Sequence, residues 1–207
     1  MNLEKLKLSN NQYLSSVGID INQNLPLIEN LNEVNPRSSE DVASRLCALA
    51  YVIGIGYDAN RTELSKHIET FNLWNHVSEY EKTLLVSKEV SKQDKFNMQW
   101  LNEAAQALAW SIGLVEINHF KHCDDDLAKK VPFKKDPSHF IESAQIRPIS
   151  EIQRQSDLLY RMHWYTRNCQ LNGKQSKLNN SIILERRRAI DWVYGVEKHW
   201  DEVTLDT

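Results

Sequence analysis

Three stretches of this sequence repeat apolar side chains at spacings of three and four residues, over lengths that strands seldom reach. They constrain the chain to helices. Between Met98 and Leu114, the residues Trp100, Leu101, Ala104, Ala105, Leu108, Ala109 and Ile112 make one broad apolar face. Alanine dominates its middle, which lets a neighbouring helix approach closely, and Gly113 is a natural terminator. A second stretch follows Ser38 and Ser39, either of which can cap a helix, with Glu40 and Asp41 favourable in the first turn. Val42, Leu46, Leu49, Val52 and Ile53 carry its apolar face, and Gly54 and Gly56 loosen its end. The third runs from Ser150 to about Leu171, with Ser150 as its cap. Six glycines and five prolines in 207 residues agree with long helices, where both are unfavourable.

The remaining segments fit between these. Residues 1–22 are polar and weakly patterned, and read as a flexible arm or a short strand around Val17–Ile21. Leu25–Val34 reads as a short helix with Pro26 in its first turn, and Asn35-Pro36 as a break. Thr62 can cap a helix to about Phe71, and another spans roughly Val77–Ser87. Residues 115–149, with three prolines, read as an irregular loop holding one or two short helices and lying over the core. A last helix starts at Asn180 or Ser181 and runs to about Trp200. The expected fold is an all-α, single-domain bundle of about seven to nine helices spanning 1–207, in which 150–207 forms a C-terminal two-helix unit.

Composition narrows the function classes. The net charge is −3, and residues 147–207 carry ten Lys/Arg against eight Asp/Glu, so no basic face for nucleic acid is expected. Cys47, Cys123 and Cys169 are odd in number and far apart, which suits reduced thiols in a cytoplasmic protein. The N-terminal residues lack the apolar run of a secretory signal. The longest apolar run, near Cys47–Ile55, is too short to span a bilayer, so no membrane partner is expected.

The chemistry-bearing residues concentrate near the C-terminus. On the helix from Ser150, His163 shares a stripe with Ile152, Ser156 and Leu159, while Asp157, Tyr160, Arg161, Trp164 and Arg167 lie on another. Asp157 can pair with Arg161, and Tyr160 can stack near Trp164. This is either a polar and aromatic groove for an acidic group or an intrahelical ion pair on a solvated face. The latter is the commoner arrangement. Arg186, Arg187 and Arg188 point around more than half of the last helix, so at least one faces protein. Glu185 can pair with Arg188 and Arg187 with Asp191, and Asp157, Asp201 and Asp206 are further candidate partners. An internal salt-bridge network is favoured over an anion site. His119, His122 and Cys123, followed by Asp124–Asp126, are metal-capable side chains without a second ligand cluster, and no metal or cofactor is expected. His163 is a candidate general base with Asp157 or Glu185 as its orienter, yet no catalytic motif accompanies it. No residue is assigned a catalytic role.

The stretches IRPISEIQRQSDLLYRMHWYTRN, LERRRAIDWVYG, HWDEVTLDT and WLNEAAQALAWSIGL resemble the bacterial domain-of-unknown-function family numbered 4272. The resemblance covers most of residues 98–207 outside the loop 115–146, and more weakly 37–90. It rests on Trp100, Glu103, Trp110, Arg147, Asp157, Tyr160, Arg161, His163, Trp164, Arg167, Glu185, Arg186, Trp192, Trp200 and Asp201 taken together. It implies a bacterial cytoplasmic protein and no established activity. By analogy with small, helical, motif-poor proteins of this kind, the expected function is non-catalytic: an immunity protein that neutralises a cognate toxin. Its contact surface is expected at Asp124, Asp125 and Asp126, which suit a basic toxin. The alternatives are a hydrolase or phosphate-handling enzyme with a cleft between the last two helices, and a structural or regulatory module that homodimerises through tryptophan-rich helices. Either a monomer or a homodimer is compatible with the sequence.

Overall fold

The computed structural model describes residues 2–206. Among these there is no strand, and nine α-helices follow in order. They are α1 (Leu3–Ser16), α2 (Ser39–Gly56), α3 (Arg61–Thr70), α4 (Glu79–Val86) and α5 (Lys92–Ser111), then α6 (Leu127–Lys130), α7 (Ser138–Glu142), α8 (Ile149–Leu171) and α9 (Asn180–Tyr194). Short 3-10 turns lie at Trp74–His76 and Trp200–Glu202. The helices form one bundle with α5 at its centre. It packs on α2 on one side and α9 on the other; α8 packs on α9, α1 on α8, and α3 and α4 flank α2. Ala104, Ala107 and Ala109 of α5 are fully buried, as are Ala43 and Ala48 of α2. Small side chains at these positions allow α2 and α9 to approach α5 closely from two sides. Among the described residues, no helix is long and apolar enough to cross a membrane.

Helix starts follow local chemistry. The Ser38 hydroxyl accepts from the Asp41 amide at 3.0 Å, as its position before α2 predicts. Ser78 and Glu81 form a reciprocal capping box on α4. Other boundaries differ from expectation. Asn60, rather than Thr62, caps α3, its side chain accepting from two amides. Ser91 caps α5, so that helix begins six residues before Met98. Pro148 precedes α8 and Ser150 lies inside its first turn without capping it.

The N-terminal segment is neither an arm nor a strand. It forms α1, with Leu3, Leu6 and Leu14 in the core. Its apolar period is masked because Asn10 and Asn11 are buried too. Asn10 donates to the Asp157 carboxylate at 2.8 Å and to the Arg154 carbonyl at 3.1 Å. No helix forms over Leu25–Val34. That segment runs as turns along α9, where the Glu29 carbonyl accepts from the Tyr194 hydroxyl and the Asn35 amide donates to the Gly195 carbonyl. The last helix stops at Tyr194 rather than Trp200, because Gly195 takes a left-handed conformation with φ 86°. Residues 115–149 hold α6 and α7, as expected of the loop. Leu127 and Val131 are buried, and Tyr51 accepts from the Lys134 amide at 3.0 Å, which ties the loop down over the core.

Gly195 meets two demands together: its positive φ, and the Asn35 carbonyl lying where a Cβ would stand. Gly173 also has a positive φ, but open space lies around it. Gly195→Ala is expected to lower stability by about 3 kcal/mol, and Gly173→Ala by about 1 kcal/mol. Urea unfolding of the two variants checks this; equal midpoints would contradict the close approach.

Candidate functional site

The charged residues buried on α8 and α9 are Asp157, Arg161, Glu185, Arg186, Arg187 and Asp191, each held by at least one partner. Three successive arginines on α9 face three directions. Arg186, 1% exposed, reaches α5, where Nε and Nη2 donate to one Glu103 oxygen at 3.0 and 2.7 Å. Its remaining N–H groups donate to the Asn118 and Lys121 carbonyls at 2.7 and 3.0 Å. Arg187 faces α8, with Nε on Asp191 at 3.1 Å and Nη1 on His163 Nδ1 at 2.8 Å. Its guanidinium lies 4.9 Å over the Tyr160 ring. Arg188 faces outward and donates to both Glu185 oxygens at 2.9 Å. On α8, Arg161 makes two bonds to Asp157, at 2.9 and 2.6 Å. Arg45 of α2 makes two 2.7 Å bonds to Glu81, whose Oε2 also accepts from the Ser78 amide. That one carboxylate therefore caps α4 and neutralises α2.

The expected pairs Asp157–Arg161, Glu185–Arg188 and Arg187–Asp191 all form, the first and third of them buried rather than on a solvated face. Other expected contacts do not. Asp201 accepts from the Tyr80 amide, not from an arginine, and Asp206 offers Arg187 only its backbone carbonyl. The decisive carboxylate is Glu103, together with Gln106, both buried in the middle of α5. Their signal in the sequence was a charged and an amide side chain, three residues apart, set among the alanines in the middle of the helix. Among the described aromatic contacts, Tyr160 faces Arg187 and does not stack on Trp164. Trp164 is half-buried against the core, and Arg167 is exposed.

These contacts also decide the histidines and cysteines. His163 receives a hydrogen bond from Arg187 and has no carboxylate orienter, since Asp157 and Glu185 are held by Arg161 and Arg188. Burial, then the Arg187 and Arg167 charges, push its imidazole down to about 4. His119 is buried between Gln155 and Arg186, and burial followed by the Arg186 charge lowers it to about 3. Both rings are thus neutral acceptors. Burial raises the Cys123 thiol to about 11 and the Cys47 thiol to about 12, so neither is a nucleophile at neutral pH. Among the described residues, no three of His, Cys, Asp and Glu gather where they would hold a metal ion.

Two concave features follow. Between α8 and α9 there is a cavity of about 200 Å³, lined by Ser156, Tyr160, Arg187 and Asp191 and covered by residues 26–29 and 204–206. Asp157, Arg161, His163 and Arg186 do not line it. A larger cleft of about 670 Å³ lies between α4, α5, α9 and the Trp200–Glu202 turn. It brings together Trp100, Glu185, Arg188, Trp200 and Asp201, all named in the sequence analysis.

Asp124, Asp125 and Asp126 are exposed, and Asp126 pairs with Lys129 at 2.6 Å. The loop beneath them is fixed from inside. Cys123 and Asp124 donate their amides to Glu103 and Gln106, at 3.0 and 3.4 Å, and Gln106 donates to the Glu116 carbonyl at 3.0 Å. Arg186 holds the same loop through its two carbonyl contacts. His122 stacks on Trp100 with ring centres 6.0 Å apart.

Fold and site together define an all-helical, single-domain protein with buried ion pairs, an acidic loop anchored from below and a polar–aromatic cleft. A family model described as Domain of unknown function (DUF4272) matches residues 6–203, and the chain belongs to that family. No curated protein and no solved structure matches it.

The neutral histidines give stability a pH dependence. Unfolded imidazoles titrate near 6.5, whereas these two titrate at about 3 and about 4. Between those values the unfolded chain binds more protons, so stability falls as pH falls below 6.5. Asp191 has the opposite sign. Burial raises its carboxyl from 3.8 to about 6, so the folded chain takes up that proton first and offsets one histidine between pH 6 and 4. Urea midpoints are therefore expected to fall from pH 6.5 to 4. His119→Gln should nearly flatten the curve between pH 6 and 4; a slope equal to wild type would contradict the assignment.

Proposed function

We propose that the protein is a non-catalytic binding protein, and most concretely an immunity protein that binds and blocks a cognate toxin carrying a basic face. One observation carries this reading: the irregular segment bearing Asp124–Asp126 is exposed, yet anchored from below by Glu103, Gln106 and Arg186. An ordered loop loses little conformational freedom when it binds, which is the condition under which a small charged surface recognises a partner tightly. Its carboxylates steer a basic partner, and Asp124 and Asp125 contribute most because Asp126 is partly neutralised by Lys129. The pairing of Arg161 and Arg186 with Asp157 and Glu103 supports the same reading, because it occupies side chains an enzyme would have used. The family-like polar residues then act as architecture.

Affinity capture from the organism that makes the protein tests this. The expected result is a one-to-one complex with a chain bearing a toxin domain, whose activity falls without turnover of the inhibitor. A monomer that associates with no such chain would contradict the proposal. In the complex, replacing Asp124–Asp126 with alanine is expected to slow association about tenfold at low salt and to flatten its salt dependence. The thermal midpoint should stay at the wild-type value. Unchanged association in that variant would place the contact elsewhere.

A further inference from the structure

The cleft between α4, α5 and α9 has the size of a small-molecule site, about 670 Å³. Three carboxylates, Glu81, Glu185 and Asp201, line it against one guanidinium, Arg188. Glu81 is already neutralised from behind by Arg45. Glu185 is less well served: both of its oxygens share a single nitrogen of Arg188. Burial, opposed by Arg188 and reinforced by the Glu81 charge, pushes its carboxyl above the usual range. Asp201 is exposed at the mouth and accepts one backbone hydrogen bond, from Tyr80. The interior is therefore short of positive charge.

The walls are aromatic. Phe96 stands 51% exposed at the rim, edge-on to Trp100 with ring centres 5.9 Å apart. Trp200 lies deeper, 7% exposed, with the Arg45 guanidinium already stacked 4.1 Å from its ring centre. Aromatic faces attract cations, most strongly when partly desolvated, and carboxylates complete the recognition. An anion would meet three carboxylates. A neutral apolar molecule would leave the Asp201 charge with a backbone amide alone and no counter-ion.

From this juxtaposition we infer that the cleft binds an organic cation: a guanidinium or ammonium group on an apolar stem, its head between Glu185 and Asp201 and its stem against Phe96 and Trp100. The cation is either a free small molecule or a basic side chain of a polypeptide. The inference does not depend on the toxin partner proposed above, since it concerns the cleft and not the acidic loop.

Calorimetric titration of the full chain with agmatine, with acetyl-Gly-Arg-Gly-amide and with glutarate tests it. Saturable binding of either cationic probe is expected, with none for glutarate. Tighter binding of agmatine assigns the site to free cations, and tighter binding of the peptide assigns it to basic side chains. Asp201→Asn keeps an acceptor for the Tyr80 amide and should weaken binding about tenfold through loss of its charge. Phe96→Ala removes an exposed ring and should weaken it about threefold. Absence of saturable binding by both cations, binding of glutarate, or wild-type affinity in both variants would overturn the inference.

Discussion

A guanidinium inside a protein needs an acceptor for each N–H it buries, and Arg186 recruits its acceptors from two places at once. Nε and Nη2 take one oxygen of Glu103, joining α9 to α5. Nη1 and the second N–H of Nη2 take the Asn118 and Lys121 carbonyls of a loop with no regular hydrogen-bonding pattern of its own. Glu103 then uses its second oxygen to hold the Cys123 amide of the same loop. A single buried pair thus fixes the central helix, the last helix and the irregular segment that passes over both.

The same economy recurs across the bundle. Arg45 and Glu81 join α2 to α4 while Glu81 caps α4, and Asp157 holds Arg161 while receiving Asn10 from α1. Buried pairs of this kind add little net stability compared with apolar packing, but breaking one is severely destabilising. They therefore specify which helix faces which. With these side chains committed to one another, the carboxylates proposed for recognition lie in two places: the loop at Asp124–Asp126 and the cleft at Glu185 and Asp201. Trp100 touches both, lining the cleft while stacking on His122 of the loop.

Much of this was legible in the sequence where one rule dominated. The apolar periods of α2, α5 and α8 announced the bundle, and spacings of three or four announced the pairs Asp157–Arg161, Glu185–Arg188 and Arg187–Asp191. Local rules failed where tertiary contacts supplied the partner. Asn10 and Asn11 are buried in α1, so its apolar pattern looked too weak for a helix. Glu103 and Arg186 are 83 residues apart, beyond the reach of any spacing rule. The cleft was not legible because it is assembled from four separate elements. Leu25–Val34, read as a short helix with Pro26 in its first turn, runs irregularly instead, and its Glu29 carbonyl accepts from the Tyr194 hydroxyl.

The central claim is that the Arg186–Glu103 pair orders the loop. Hydrogen exchange at the Cys123 and Asp124 amides measures this most directly, in the wild type and in the double variant Glu103→Met, Arg186→Met. Replacing both charges with apolar side chains keeps the interior filled, so the helices are expected to persist with wild-type protection in α2 and α5. The two loop amides should lose their protection, by at least about tenfold in exchange rate. Wild-type protection of both amides in that variant would contradict the account.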